Sequence, residues 1–314
     1  MLVFRRVPHS AEGPTVLTIG NFDGLHRGHQ ALLARLGVEA RRLGLPASLL
    51  TFEPHPREFF APDQAPARLT SLREKLNLIE ACGVDRVYLC RFNAALAAYS
   101  AQDFICRILV DGLAAKHVII GDDFRFGRGR SGDIAMLQQA GAVHGFSAEA
   151  MATIEWQGER VSSSAVRDSL EAGAMEHAAR LLGRPYSIAG RVVGGDQLGR
   201  QLGFPTANVQ LKRKHIPLIG VFAVTVTGVG KPADAPWPGA ASLGVRPTVA
   251  TGLRPALEVH LLDFDGSLYG QHVSVEFLHK LRDQAKYQSL DALKAQIALD
   301  VDTTRTYFAN RQNG

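Results

Sequence analysis

The chain has 314 residues, 46% of them apolar and 21% charged, and a formal net charge of +5. That balance belongs to globular proteins and excludes a low-complexity or highly charged disordered chain. No run approaches the roughly 20 apolar residues of a membrane-spanning helix, the opening MLVFRRVPHS lacks the apolar stretch of a secretory signal, and a cytoplasmic protein without a membrane partner is expected.

The first apolar run, 16–19, predicts a strand, and Leu32, Leu33, Leu36, Ala40 and Leu43 recur at helical spacing, predicting a helix over 31–43 that begins near Gly28 and His29. Between them runs TIGNFDGLHRGHQALL (18–33), which sets Gly20, Asn21, Asp23, His26 and His29 at a strand-to-helix turn. Unpaired N–H groups and the positive end of the macrodipole point out of such a terminus and attract anions, phosphate above all. Imidazoles there add donors that can be neutral or charged near pH 7. Read from the residues alone, the two histidines can equally be hydrogen-bonded to local carbonyls and simply shape the loop.

Further strands are predicted at 48–52, 84–90 and 117–120, and helices at 72–81, 101–109 and 134–140. Ser71 with Glu74, and Ser100 with Asp103, supply capping signals to two of those helices. Alternation of this kind predicts a parallel sheet with helices on both faces, whose ligands bind at the C-terminal ends of the strands. Three strand-end loops gather there: the histidine turn, the segment Glu53, Pro54, His55, Pro56, and GDDFRFGRGRSGD (121–133). In the third, glycines give room around a ligand, Asp123 adds a carboxylate, and Phe124 and Phe126 offer faces for a flat ring; the alternative is a glycine-rich surface loop with its aromatics tucked into the core. VSSSAVR (161–167) then leads into another helix, with Ser164 as its expected N-cap and Arg167 placed to grip a phosphate bidentately.

GNFDGLHRGH resembles the H-x-G-H signature of nucleotidyltransferases in the longer form of the bacterial FAD synthetases. The resemblance implies an ATP site in which His26 and His29 contact the triphosphate while another molecule's phosphate attacks the α-phosphorus. VSSSAVR is similar to the I-S-S-T-x-x-R element of the same enzymes, with valine and serine in place of isoleucine and threonine; there the serine or threonine and the arginine hold the outgoing pyrophosphate.

After a helical piece over 176–182 the chain turns at Gly183, Arg184 and Pro185, and its texture changes. We divide it into domains 1–183 and 184–314. Strand-like segments at 186–193, 221–226, 256–262 and 272–277, separated by glycine- and proline-rich turns without helices, predict an antiparallel barrel. Leu290, Leu293, Ile297 and Val301 predict a terminal amphipathic helix over 289–308, capped by Ser289 and packed on that barrel. GGDQLGRQLGFPTAN (194–208) carries Gly195, Gly199 and Gly203, which suit a flap whose amides approach phosphates, and it is no Walker A loop because it lacks G-K-[ST]. Thr206 and Asn208, two apart on an extended chain, can share a hard cation such as Mg²⁺, although read from the residues alone the segment is more readily a structural loop. Cys82, Cys90 and Cys106 show no C-x-x-C spacing and predict buried free thiols rather than a zinc site or a disulfide framework. Basic residues are scattered, the densest groups being Arg125, Arg128, Arg130 and Lys212, Arg213, Lys214; without a long run or interleaved aromatics they suit anionic nucleotides, and no nucleic-acid partner is expected.

G-x-x-x-G-x-P-T-A-N resembles the hallmark of riboflavin kinases, which implies a six-stranded barrel and, on a later strand, a glutamate acting as general base toward the flavin's ribityl 5′-hydroxyl. Glu258 in LEVHLLDFDGSLYG matches that position. The order of motifs along the chain is similar to the bacterial bifunctional riboflavin kinase and FMN adenylyltransferase family, implying riboflavin, FMN and ATP as substrates, FAD as a product, and Mg²⁺ as cofactor. Gly194, Ser242, Gln284 and Tyr287 depart from the family's usual residues, which puts details of flavin binding, such as a role for Arg282, in question. Two rivals stand beside this reading: a nucleotidyltransferase for another phosphorylated acceptor, and a flavin- or nucleotide-binding regulator without catalysis. The P-T-A-N motif with Glu258 opposes the first, and the two histidines with Glu258 oppose the second. Oligomeric state is left open by the sequence.

Overall fold

A computed structural model describes residues 1–195, 198–213, 215–230, 235–248 and 252–312. They form two compact units, one of Met1–Pro66 and Leu72–Ser162, the other of Ala67–Ser71 and Ser163–Gly314.

The first unit runs β1 (Leu2–Phe4), β2 (Thr15–Ile19), α1 (Arg27–Leu43), β3 (Ala47–Glu53), α2 (Pro56–Phe60), α3 (Leu72–Ala81), β4 (Arg86–Arg91), α4 (Ala94–Ala97) and α5 (Ala101–Asp103). A π-helix (Phe104–Gly112), β5 (Ala115–Gly121), α6 (Ile134–His144), β6 (Ser147–Met151) and the hairpin β7 (Glu155–Trp156) and β8 (Glu159–Arg160) follow. Six strands pair in parallel in the order β1-β4-β3-β2-β5-β6. Every residue of β2 is buried, as a strand covered on both faces requires. Leu17 and Ile19 pack with Phe104, Ile105 and Leu109 of the π-helix and Leu137 of α6. Val16 packs on the opposite side with Leu33 and Leu36 of α1 and Ile79 of α3. Helices therefore cover both faces, as expected. The helix expected over 101–109 continues to Gly112 and changes after Asp103 from α to π winding.

The second unit runs α7 (Ser163–Glu171), α8 (Met175–Leu182), β9 (Tyr186–Val193), α9 (Leu198–Gln201), β10 (Ala207–Val209), β11 (Gly220–Thr227), β12 (Trp237–Thr248), β13 (Gly252–Leu261), β14 (His272–Arg282) and α10 (Leu290–Gln312). Six strands close antiparallel in the order β10-β13-β12-β11-β14-β9. Inside stand Ile188, Val209, Phe222, Leu243, Leu257 and Phe277, all under one-tenth exposed, with Phe222 edge-on to Phe277 at 5.3 Å. The Ser289 hydroxyl accepts from Ala292 N at 3.1 Å and starts α10, as expected. Along α10, Val301 and Thr304 are buried whereas Leu290 is exposed, so the apolar stripe takes hold one turn later than its sequence suggests. Two bidentate ion pairs fasten the helix: Arg282 to Asp300 and Arg305 to Asp263.

The three cysteines are free; Cys90 is buried, which pushes its thiol pKa up to about 11, whereas Cys82 and Cys106 are half-buried rather than buried as expected. Among the described residues no helix is long and apolar enough to cross a membrane.

Candidate functional sites

In the first sheet the chain moves from β2 outward to β3 and β4, then returns to place β5 on the other side of β2. That reversal opens a crevice beyond the carboxyl ends of β2 and β5, where open parallel sheets take ligands. The histidine turn leaves the end of β2 and the 121–133 loop leaves the end of β5, so the topology brings these two predicted segments to one place.

The turn has an unusual backbone. Phe22 (φ 51°) and Leu25 (φ 42°) join Gly24 (φ 79°) in the left-handed region, at about 1 kcal/mol or more for each residue carrying a Cβ. What holds them is burial: Phe22 is 0% and Leu25 2% exposed in the core beneath α1, and each such side chain contributes about 1.5–3 kcal/mol. The strain is thus fixed by the core and delivered to the residues between and beside its anchors.

Those residues include Asp23, buried, and His26, whose Nδ1 accepts the His29 N–H at 3.4 Å as the N-cap of α1. Accepting there leaves the neutral ring its proton on Nε2. The His26 and His29 rings stack with centroids 3.7 Å apart, and Phe22 lies 5.0 Å from His29 on the other flank. Burial first, then the facing His26, then Lys75 hold the His29 pKa well below its ordinary value. Of the two states expected near pH 7, His29 therefore takes the neutral one. Four buried side-chain polar atoms among the described residues lack a hydrogen-bond partner, and three belong to this stretch: Thr18 Oγ1, Asn21 Oδ1 and His29 Nδ1. Orphaned polar atoms of that kind are rare in folded proteins, and a bound ligand, ion or water is one way such atoms are satisfied. Gly20, at the end of β2, donates its N–H to Leu50 O at 3.1 Å.

The loop after β3 leads directly into α2. His55 caps α2, its Nδ1 accepting from Arg57 N at 3.1 Å while the Glu58 carboxylate accepts from His55 N. Near this cap, sequence reasoning overlooked an aromatic cluster in which Phe59, Phe60 and Phe92 lie 5.3–5.6 Å apart edge-on, with Phe60 67% exposed. Adjacent phenylalanines in PREFF were its only local sign.

In the loop after β5, Phe124 is half-buried, whereas Phe126 packs on Phe104 at 5.4 Å as a core residue and offers no ring face, so for Phe126 the tucked-in alternative holds rather than the stacking role. Asp123 accepts a 2.6 Å hydrogen bond from Arg160 of β8, and the Thr153 N–H and hydroxyl hold the Asp122 carboxyl below the usual range. Arg27, the first residue of α1, lies 4.3 Å over the Trp156 ring in the same hairpin.

Ser164 and Arg167 stand on α7 in the second unit. The helix begins at Ser163, so Ser164 is an exposed residue of its first turn rather than its cap. Arg167 is half-buried and donates through Nε to Ala67 O at 2.6 Å, which pins the guanidinium's inner edge.

In the barrel, β10 pairs with β13 so that Asn208 faces Glu258, and β12 pairs with β13 so that Ser242 faces Glu258 from the other side. Residues directly opposite share a face. Their neighbours Val209, Leu257 and Leu243 are buried inside, so Asn208, Glu258 and Ser242 form a half-buried row on the outer face. Gly195 lies against this row: a Cβ there would overlap the Asn208 amide. Gly199 lies in α9, its carbonyl accepting from Phe204 N at 2.7 Å, and Gly203 adopts φ 90° in the turn that follows. The row continues to Gln284, whose Nε2 donates to Ser242 Oγ at 2.9 Å and to Gly220 O at 3.2 Å. Two departures from the family pattern are thereby partners of each other. Arg282 is committed to Asp300 and lies 5.8 Å over Tyr287.

Comparison with known proteins finds two family models along the chain. The family model for FAD synthetase matches residues 9–165 and that for riboflavin kinase residues 182–308. A bifunctional riboflavin kinase/FMN adenylyltransferase of Escherichia coli strain K12 is 50% identical over 98% of each chain, and one of Pseudomonas fluorescens is 53% identical over 94% of this chain and 93% of its own. A solved structure described as a macrolide-efflux protein from Streptococcus pneumoniae superposes with a TM-score of 0.82 at 28% identity, over 97% of this chain and 99% of its own. The chain belongs to the bifunctional riboflavin kinase/FMN adenylyltransferase family.

Proposed function

We propose that the chain carries out two ATP-dependent steps, phosphorylation of riboflavin to FMN on the barrel and adenylylation of FMN to FAD at the crevice of the parallel sheet. The observation that carries the first step is the barrel register, which sets Glu258 across from Asn208. In it the Glu258 carboxylate accepts the proton of the ribityl 5′-hydroxyl as that oxygen attacks the γ-phosphorus of ATP and ADP departs. Thr206 and Asn208 fit a magnesium ion: both offer neutral hard oxygens, and the close approach of Gly195 leaves the Asn208 amide in a cradle that a Cβ would fill. Bound with ATP, such an ion neutralises phosphate charge. Gly195, Gly199 and Gly203 let the flap backbone approach those phosphates.

In the second step a phosphate oxygen of FMN attacks the α-phosphorus of ATP and pyrophosphate leaves. His26 and His29, at the N-terminus of α1, donate to the triphosphate as its charge redistributes, and the orphaned Asn21 Oδ1 and His29 Nδ1 support a ligand at this turn. Gly20 and Asp23 shape the ATP cradle, and Ser164 and Arg167 hold the departing pyrophosphate. His55 positions the neighbouring helix, and Asp123, Phe124 and the exposed Phe60 cluster border the flavin. We place the functional boundary at 183/184, where Gly183 (φ 74°) ends α8, and the protein in the cytoplasm, with small-molecule substrates and without nucleic acid or membrane partners.

The test is to incubate the protein with riboflavin, ATP and Mg²⁺ and to separate the flavins over time. FMN followed by FAD is expected; FMN alone would refute the acceptor assigned to the first site, and bound flavin without turnover would refute both steps.

A further inference from the structure

The β10–β13 ladder that aligns Asn208 with Glu258 ends at Ala207, which pairs with Val259. Thr206 lies just beyond it, and the next residue back, Pro205, has no N–H with which a ladder can continue. Something other than strand pairing must fix this segment. The structure supplies a side chain: Nδ1 of His260 lies 2.9 Å from the Pro205 carbonyl oxygen. A carbonyl only accepts, so the imidazole carries its proton on Nδ1 and donates there whether the ring is neutral or charged. Phe204 rests edge-on against the same ring at 5.7 Å.

His260 follows Glu258 by two residues on β13, and alternate residues of a strand share a face. Leu257, Val259 and Leu261 point into the barrel, so Glu258 and His260 both stand outside it. One strand thus presents the carboxylate and, about 7 Å further along, the donor that holds the opposing segment.

We propose that His260 is a positioning residue of the kinase site, fixing Pro205 and with it Thr206 relative to Glu258. The inference rests on the reading in which Thr206 and Asn208 hold the nucleotide and Glu258 takes the proton. Its physical content is alignment: attack in line with the departing ADP requires that the hydroxyl held by the base and the γ-phosphate held by the 205–208 segment keep a set separation, and a misplacement of about 1 Å can lower the rate about 100-fold. His260 touches neither reacting group and acts through Pro205.

The experiment varies MgATP and riboflavin separately in the kinase assay of the full chain. His260→Phe keeps a ring beside Phe204 and removes the donor; His260→Asn removes the ring and keeps a donor, Nδ2, at the same number of bonds from the backbone. His260→Phe is expected to raise the KM for MgATP about threefold to tenfold and to lower kcat, with the KM for riboflavin changed by less than about twofold. His260→Asn is expected to recover both parameters to within about twofold. Adenylylation of added FMN by the same preparations reports an intact first unit, and calorimetric binding of MgADP is expected to weaken in His260→Phe and recover in His260→Asn. Should the added bulk of phenylalanine unfold the barrel, His260→Ala is expected to give the same MgATP shift. Parental MgATP kinetics in the donor-free variants, or equal impairment of His260→Phe and His260→Asn, would overturn the proposal. Thr206→Ala separates the two levels: impaired in Thr206→Ala but silent in His260→Phe, the kinase reading stands and this inference fails; silent in both, the two fall together.

Discussion

Asn208 and Glu258 face each other across the β10–β13 ladder, 50 positions apart in sequence and adjacent on the outer wall of the barrel. Glu258→Gln keeps the size of the side chain and removes its basicity. FMN formation is expected to fall by about 100-fold or more, with FAD formation from supplied FMN unchanged. Chromatography of the flavins measures both rates in one sample; equal loss of the two would refute the assignment of separate sites.

His26→Ala removes a ring from the stack and the acceptor that caps α1. Formation of FAD from FMN should be lost while riboflavin is still phosphorylated, and the first unit should lose about 1 kcal/mol of stability with its cap. Denaturant titration followed by both activities separates the two effects.

His29 gives the first unit an acid sensitivity whose sign can be worked out. Its pKa in the fold lies well below the ordinary value because burial, His26 and Lys75 disfavour the charged ring. The unfolded chain takes up that proton below about pH 6.5 while the folded chain does not. Stability is therefore whole above that pH and declines as pH falls from there through the depressed folded value. Melting temperatures of the parent and of His29→Asn, compared from pH 8 to pH 5, should converge toward the acid end; parallel curves would argue against a buried neutral imidazole.

Phe22→Ala would remove the anchor of a left-handed residue. A loss of about 3–5 kcal/mol is expected from the cavity alone. At temperatures where the variant stays folded, FAD formation should still fall, because Leu25 alone then anchors the turn, whereas the kinase step should continue.

Gln284→Glu replaces a donor by a carboxylate that faces Ser242 Oγ and the Gly220 carbonyl. The barrel should lose about 1–3 kcal/mol. Adding Ser242→Asn returns a donor from the other side and should recover part of it, which a double-mutant cycle would show as coupling.

Much of this architecture was legible in the sequence because local signals and global fold agree. The apolar run of β2, the helical spacing along α1 and the glycines between them identify the turn without reference to anything distant. β12 was overlooked since prolines and glycines interrupt its pattern: Pro238, Gly239, Gly244 and Pro247 all lie inside it, and its partners on both sides override propensity. β1 and β10, three residues each, are too short for periodicity to register, and β6, SAEAM, carries little apolar content. The roles of Phe126 and His55 were obscured for another reason. A ring in a glycine-rich loop can be exposed or tucked in until Phe104 is known to lie beside it, and that a histidine before a proline caps a helix is not legible until the bonds of α2 are seen. The pairings of Arg160 and Gln284 carry no local signal, for their partners lie 37 and 42 positions away.

The alternation along β13 bears on what kinds of sequence change this half of the chain can survive. Leu257 and Val259 fill the barrel while Glu258 between them faces out. Letters on that strand can vary with their surroundings, but their count cannot. Deleting one residue shortly before Glu258, without a compensating bulge, would turn the carboxylate inward and an aliphatic side chain outward. Divergence among such chains should therefore be written in substitutions along β13, with gaps and insertions confined to the turns at its ends.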